Sequence, residues 1–159
     1  MKDPTEGTRM IDVMLKRIVI RDGSEEQYIF LRERGGHRGF PIVIGTSEAW
    51  EISRVVNKKQ PKRPLTHQLA YEILRTLGAN LKRVDIIALR ENTFFAQIVL
   101  QNGSGELTAV VDARPSDAVA LALRAGCPVR VAETVLDLVR TDRSGPDVLP
   151  APDESIDPE

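Results

Sequence analysis

Hydrophobic and polar positions follow a strand-like pattern in the first third of the chain and then change to helical spacing. Apolar and β-branched residues dominate three short runs, and the polar segment Arg21-Asp22-Gly23-Ser24 between the first two is typical of a hairpin turn. Beyond Gly45 the spacing is helical up to Val56, and Thr46 or Ser47 stands where a helix cap is expected. The pattern predicts three strands followed by a helix. The predicted strands cover residues 10–20, 27–32 and 40–44.

The rest of the chain repeats this order after a second helix. Thr66 is placed to cap that helix and Gly78 to end it. Three strands are predicted next, and then a helix from Pro115 to Ala125 that is apolar nearly all round and is therefore expected to be buried. The second helix has an apolar stripe of Leu69, Ala70, Ile73, Leu74 and Leu77. The three strands cover residues 82–89, 94–100 and 107–111, and a strand at 128–132 and a helix at 133–140 follow.

An internal repeat is suggested by a shift of 69 residues. It lays Ser47-Glu48-Ala49 on Ser116-Asp117-Ala118, and Tyr28-Ile29-Phe30-Leu31 on Gln97-Ile98-Val99-Leu100. The agreement in element order suggests two similar βββα halves. We therefore expect an α+β fold of two layers, in which a mixed β-sheet carries the helices on one face.

Composition limits the classes of protein to which the chain can belong. The chain has 159 residues, which suits one domain, and it has no apolar run near the ~20 residues that span a bilayer. A single cysteine and an N-terminus without an apolar segment favour a soluble, cytoplasmic protein.

The charge is uneven along the chain. Residues 141–159 hold six acids, one base and four of the ten prolines, so this tail carries −5 and the rest of the chain +4. We expect a flexible N-terminus at 1–9, a folded domain at 10–140 and a disordered tail at 141–159. A mildly basic body permits a polyanionic partner without requiring one.

The candidate catalytic side chains are concentrated where the apolar strand ending near Val111 is followed by a helix. Asp112, Arg114 and Asp117 fall within six residues, around a proline that favours the first helical position. Such an edge is where ligand sites tend to form. An acid in the first turn of a helix and an arginine between two acids are, however, equally explained as a structural clamp.

The same stretch carries a family resemblance. Arg63-Pro64-Leu65-Thr66-His67, Phe94-Phe95-Ala96 and Asp112-Ala113-Arg114-Pro115-Ser116-Asp117-Ala118 resemble, in order and spacing, motifs of the bifunctional nuclease (BFN) domain family. The resemblance spans roughly residues 10–140, with one departure at Gln68, where the family often has an acid. It implies a small α+β domain, common in bacteria and usually self-associated as a homo-oligomer. Nuclease activity on both DNA and RNA is attributed to plant members.

Two hypotheses follow. In the first, the protein is a metal-dependent nuclease: Asp112 and Asp117 bind Mg²⁺ or Mn²⁺, Arg114 grips a phosphate, and His67 is a general base. The basic connector before His67 would contact nucleic acid through Lys59, Lys62 and Arg63. In the second, the chain is a non-catalytic, homo-oligomeric regulatory or scaffold module, and the Asp-Arg-Asp cluster only holds the turn.

Overall fold

The computed structural model describes residues 1–140 and the pair 155–156. The predicted disorder of the tail therefore falls almost wholly outside the described residues. The strands are β1 (Met10–Val19), β2 (Glu26–Glu33), β3 (Gly39–Gly45), β4 (Asn80–Arg90), β5 (Thr93–Gln101), β6 (Leu107–Ala113), β7 (Val129–Ala132) and β8 (Ser155–Ile156). The helices are α1 (Thr46–Val56), α2 (Thr66–Thr76), α3 (Pro115–Ala125) and α4 (Glu133–Val139).

The sheet is mixed, and two antiparallel meanders form its two sides. The strand order is β3-β2-β1-β7-β4-β5-β6, and the two-residue β8 pairs with β1 outside this path. Strand β7 joins the meanders, because it pairs antiparallel with β1 and parallel with β4. Each meander leads directly into a helix, α1 after β3 and α3 after β6. The α+β class and the two βββα halves predicted from the sequence are confirmed.

One hydrophobic core lies between the sheet and the helices. Phe40 on β3, Ile52 on α1, Ile86 on β4 and Leu136 on α4 are fully buried within it. The small side chains of α3 lie in the same core, as the sequence predicts, and α1 packs against α3. The helices thus cover one face of the sheet. Among the described residues, no helix combines the length and apolar character that crossing a bilayer requires.

The starts of the helices differ from prediction at two places. The N-cap residues of α1 and α2 are Gly45 and Leu65, so Thr46 and Thr66 are the first helical residues and do not cap. The reason is that both N-cap residues have extended backbone angles, which place the following threonine inside the helix. The prediction of threonine caps was therefore wrong.

Helix α2 differs from the other helices because none of its eleven described residues is buried. Its stripe is partly turned away from the core: Leu69 is 52% exposed, Ile73 50% and Leu77 79%. Tyr71 and Leu74 make its partly buried contacts with the core. An amphipathic helix with an exposed apolar face lies on the surface of the chain.

The opposite face of the sheet carries a buried ionic network. Asp85 on β4 is fully buried and accepts hydrogen bonds from Arg83 Nε at 2.9 Å and from Arg130 Nε at 2.7 Å. The N-terminal segment lies against this network, because Asp3 accepts from Arg83 at 2.7 Å and Thr5 from Arg130 at 2.9 Å. The sequence did not indicate these two contacts of the N-terminal segment. The flexibility of residues 1–9 stays a prediction.

Candidate functional site: a cleft at three helix N-termini

Three helices begin at one cleft, because the first turns of α1, α2 and α3 all contribute to its lining. The N-cap residues are Gly45, Leu65 and Arg114, and none of these side chains offers an acceptor to the free N–H groups of the first turn. The positive ends of three helix dipoles therefore meet at the cleft without an N-cap acceptor.

The cleft has a volume of about 590 Å³. Helix α1 forms one wall, the start of α2 forms another, and α3 contributes Asp117 and Leu121. The charged and titratable residues that line it are Glu48, Glu51, Arg54, His67, Arg114 and Asp117. Such a mixture of acids, guanidiniums and one imidazole in a single concavity is typical of a functional site.

A chain of four side chains joins the three helix starts. His67 Nε2 lies 2.8 Å from Asp117 Oδ1, and Arg114 Nε donates to Asp117 Oδ2 at 2.9 Å. Arg114 continues to α1, where its Nη2 donates to Glu48 Oε1 at 3.0 Å. Residues 48, 67 and 114–117 are distant in sequence, so their contact depends on the packing of the helices.

The groups in this chain of side chains determine one another's protonation state. Burial by itself would raise the pKa of Asp117, but the hydrogen bonds and charges of Arg114 and His67 outweigh it and hold that pKa below its usual value. Asp117 is therefore ionised at neutral pH and can only accept hydrogen bonds, which makes His67 Nε2 the donor. Arg114 has a raised pKa because of Asp117 and Glu48, and its guanidinium stays charged.

The structure brings together three of the four residues for which the sequence predicts a catalytic role, namely His67, Arg114 and Asp117. Asp112 does not line the cleft. On β6, Val111 and Ala113 pair with Ile98 and Ala96 of the core, whereas Asp112 pairs with Gln97. Because successive side chains of a strand point to opposite faces, Asp112 projects from the face away from the helices.

The carboxylate pair expected to bind Mg²⁺ or Mn²⁺ is thus not assembled. Asp112 is exposed and its side chain has no hydrogen bond or ion pair within residues 1–140, while both oxygens of Asp117 already accept hydrogen bonds. Within the described part of the chain, no three His, Cys, Asp or Glu side chains are grouped so as to hold a metal ion. The donor set of the cleft does not fit a resident divalent cation.

The connector between α1 and α2 lies beside the cleft. Lys59, Lys62 and Arg63, expected to contact nucleic acid, are all exposed there and do not belong to the cleft lining. Leu65, at the end of the same segment, does line the cleft. The connector therefore places basic side chains next to the cleft and not within it.

Sequence reasoning did not assign a role to Glu48, Glu51 or Arg54. A signal for Glu48 was present, since the 69-residue shift places it on Asp117. The two acids occupy matching positions in the first turns of α1 and α3, and both bind Arg114. Glu51 and Arg54 gave no such signal, because charged residues on a helix are usually solvated.

The fold and the cleft define an α+β domain with a charged surface cleft at three helix N-termini. The chain belongs to a known family, because residues 29–144 match the family model of the bifunctional nuclease domain. This finding confirms the resemblance seen in the sequence motifs.

Relatives in two groups of organisms are similar to this chain. An uncharacterized protein of Mycobacterium tuberculosis is 40% identical over 127 residues, which cover 80% of this chain and 74% of the relative. Bifunctional nuclease 1 of Arabidopsis thaliana is 24% identical over 157 residues, covering 85% of this chain and 48% of the plant protein. Bifunctional nuclease 1 of Oryza sativa is 24% identical over 114 residues, and only 34% of its length is covered.

Proposed function

We propose that this chain is a nuclease that binds a phosphodiester group in the cleft and hydrolyses it there. Family membership and the names of the distant plant relatives support nuclease activity. The observation that carries the assignment to this cleft is the meeting of three helix N-termini with a guanidinium and an imidazole. Helix N-termini and arginine are the groups that proteins use most often to bind phosphate oxygens.

The phosphate would lie against the N–H groups of the helix starts, with Arg114 beside it. Arg114 has five N–H donors and gives two of them to Asp117 and Glu48, so three remain for phosphate oxygens. Its side chain is 68% exposed, which leaves it open to a ligand. Glu48 and Asp117 share Arg114, and Glu51 is shared by Arg54 and Arg124, so the three acids of the cleft are balanced by three guanidiniums.

His67 is the proton acceptor in the proposed hydrolysis. Because its Nε2 donates to Asp117, the neutral ring has its lone pair on Nδ1, and that atom can take a proton from an attacking water. As the water oxygen bonds to phosphorus, the bond to the leaving oxygen breaks, and that oxygen departs with the bonding electron pair and takes a proton from solvent. Asp117 fixes the orientation and tautomer of the ring and stabilises the imidazolium that forms, while Arg114 offsets the charge on the phosphate oxygens.

The substrate of this activity is nucleic acid, and a divalent ion can accompany it. We propose that either DNA or RNA serves as substrate, with Lys59, Lys62 and Arg63 contacting the backbone beyond the cleft. A divalent ion, if required, would arrive with the phosphate, since the donor set does not fit a resident one. The roles of His67, Asp117 and Arg114 do not depend on such an ion.

The test is cleavage of labelled single-stranded DNA and RNA by the purified full chain, with Mg²⁺, with Mn²⁺ and with chelator. We expect His67→Ala and Arg114→Met to lose at least a hundredfold in rate, because a positioned base contributes about 10²–10⁴-fold. His37→Ala is the matched control, since it removes the chain's other histidine from an exposed loop. Full activity in both cleft variants would refute the proposal.

Asp112→Asn separates this proposal from the paired-carboxylate hypothesis. Asp112 lies outside the cleft, so we expect its variant to keep the activity that Asp117→Asn loses. Equal losses in the two variants would favour the paired-carboxylate metal site instead.

A second candidate function is a homo-oligomeric regulatory or scaffold module, and the exposed face of α2 favours it. Leu69, Ile73 and Leu77 follow one another at intervals of four residues and are half or more exposed. Contiguous apolar surface of this kind marks protein–protein contacts, and a twofold pairing of α2 with its copy would bury it. Trp50 on α1 is also exposed, at 45%.

Sedimentation of Ile73→Glu tests the second candidate. We expect the unmodified chain to sediment as an oligomer and the variant as a monomer, with unchanged circular dichroism. A monomeric unmodified chain at tens of micromolar would refute the pairing of α2. Cleavage by a monomeric variant would show that assembly and activity are separate.

A further inference from the structure

We infer that Arg54 binds a second phosphate of the same nucleic acid strand, so that the cleft takes an oligonucleotide and not an isolated phosphodiester. This inference rests on the function proposed above and extends it to a substrate class. It is carried by the position of Arg54 in the cleft, by the buried acid that orients it, and by the donors it has left.

Arg54 and Arg114 are held at different points of the wall that α1 forms. Helix α1 supplies Glu48, which binds Arg114, in its first turn and Arg54 in its last turn. Six residues separate Glu48 from Arg54, which corresponds to a rise of roughly 9 Å along the helix axis. Both guanidiniums line the one cleft. Arg114 is bound to Glu48 and Arg54 to Glu51, so the two guanidiniums occupy separate positions along this wall, and two such positions suit successive phosphates of a polyanion.

Arg54 is held by a buried carboxylate. Its Nε and Nη2 both donate to Glu51 Oε2, at 3.3 and 2.9 Å, in a two-pronged contact. The Glu51 side chain is only 3% exposed, and its other oxygen accepts from Arg124 Nη2 of α3 at 2.7 Å. Glu51 is thus fixed from two helices and is a positioning residue for the Arg54 guanidinium.

The charge of this pair does not depend on pH near neutrality. Burial would raise the pKa of Glu51, but the hydrogen bonds and charges of Arg124 and Arg54 outweigh it and keep that pKa below its ordinary value. One buried carboxylate shared by two guanidiniums leaves a positive charge in excess.

Arg54 also keeps the capacity to bind a ligand. Within residues 1–140, Glu51 accepts both hydrogen bonds that Arg54 donates, which leaves three of its five N–H groups. Its side chain is 32% exposed, so those groups can reach a molecule in the cleft. An arginine that lines a cleft with a fixed orientation and free donors is suited to a phosphate.

The expected kinetic effect is specific to the length of the substrate. A contact to a phosphate beyond the scissile one is made equally in the ground state and the transition state, so its loss raises KM and leaves kcat unchanged. A substrate with a single phosphate cannot make this contact, so its KM and kcat should not change when the contact is lost.

The experiment compares Arg54→Met with the unmodified full chain on two substrates, bis(4-nitrophenyl) phosphate and a ten-residue single-stranded oligonucleotide. We expect KM for the oligonucleotide to rise about tenfold, with kcat unchanged and with no change on the single-phosphate substrate. Glu51→Gln should show the same length-specific rise, and the double variant should show no more than either single one. Arg34→Met, at an exposed loop position, is the matched control.

Binding supplies a second readout that does not need turnover. In the His67→Ala background, the affinity for the oligonucleotide is measured against salt concentration. Loss of one phosphate contact should reduce the slope of log Kd against log salt by about 0.7 for a single strand. The Arg34→Met variant in the same background should keep the full slope.

The outcomes separate this inference from the proposed function. Equal losses on both substrates would place Arg54 in the chemical step or the fold and overturn the inference, and so would an unchanged KM together with an unchanged salt slope. Activity that survives His67→Ala and Arg114→Met would overturn the proposed function itself, whatever Arg54→Met does.

Discussion

Replacing Asp85 by asparagine tests whether the ionic network on the face away from the helices stabilises the fold. Asp85 is fully buried and accepts three hydrogen bonds, one from Arg83 and two from Arg130. Asparagine keeps the size of the side chain but removes its negative charge. Its amide N–H groups would then face the N–H groups of the guanidiniums, which are also donors.

The expected loss of stability follows from the arginine charges that stay buried after the substitution. Removing one partner of a buried ion pair costs about 3–5 kcal/mol, since the other charge stays buried and uncompensated. The Arg83 side chain is only 7% exposed, so its charge bears the whole of this cost. The Arg130 side chain is 23% exposed and can be partly solvated by water, which reduces its share. Asp3 still pairs with Arg83. We therefore expect a loss of about 3 kcal/mol in the free energy of unfolding, and a fall in Tm of roughly 10 °C.

Urea denaturation followed by circular dichroism is the assay, with Asp112→Asn as the matched control. Asp112 lies on the same face of the sheet, since Asp85 pairs with Gln97 and Gln97 with Asp112, but Asp112 is exposed. The control should change the unfolding free energy by less than about 0.5 kcal/mol. A loss below about 1 kcal/mol for Asp85→Asn, or one that vanishes in 1 M salt, would refute the reasoning, because a buried pair is little screened.

Three further predictions concern stability. Lys58 has a φ of 53° after the end of α1, so Lys58→Gly should raise the unfolding free energy in urea by about 1 kcal/mol. Gly39→Ala should lower it by about 1–3 kcal/mol, because the added Cβ would lie 2.6 Å from the Phe30 ring and 2.8 Å from the Leu31 carbonyl oxygen. Asp3→Asn should destabilise the chain at neutral pH. Hydrogen bonds from Thr5, with a smaller contribution from Arg83, lower the pKa of Asp3 to about 2 from 3.8, so its contribution is full above pH 4 and disappears as the pH falls toward 2.

Each of these has an outcome that contradicts it. No gain from Lys58→Gly would mean that the left-handed conformation is not strained. An unchanged midpoint for Gly39→Ala would show that the Phe30 ring and the strand can shift without cost. A deficit in Asp3→Asn that persists at pH 2 would assign the effect to packing and not to charge.

Much of the fold could be predicted because hydrophobic periodicity encodes which side of each element is buried. Alternation marks the strands, and a proline just inside the start of α3 and Gly126 at its end mark that helix. The sequence could not predict that α2 would have no buried residue. An apolar stripe facing a core and one facing a partner have the same spacing.

The site was predicted only in part for a related reason. Arg114 and Asp117 are neighbours along one helix start, so their contact is local and can be deduced. The contact between His67 and Asp117 spans 50 residues and depends on how α2 packs on α3. Asp112 is close to Asp117 in sequence but not in space, because strand alternation sends Asp112 to the far side of the sheet.

Strand β7 has a consequence for how the chain is made. The two meanders are each complete by residues 45 and 113, but the strand that lies between β1 and β4 spans Val129–Ala132 and is therefore synthesised after both. Until it emerges from the ribosome, two strand edges stand open, and open edges invite pairing with other chains. A nascent chain stopped before this strand should be a preferred client of chaperones, and a truncation at residue 127 should aggregate while the longer chain remains in solution.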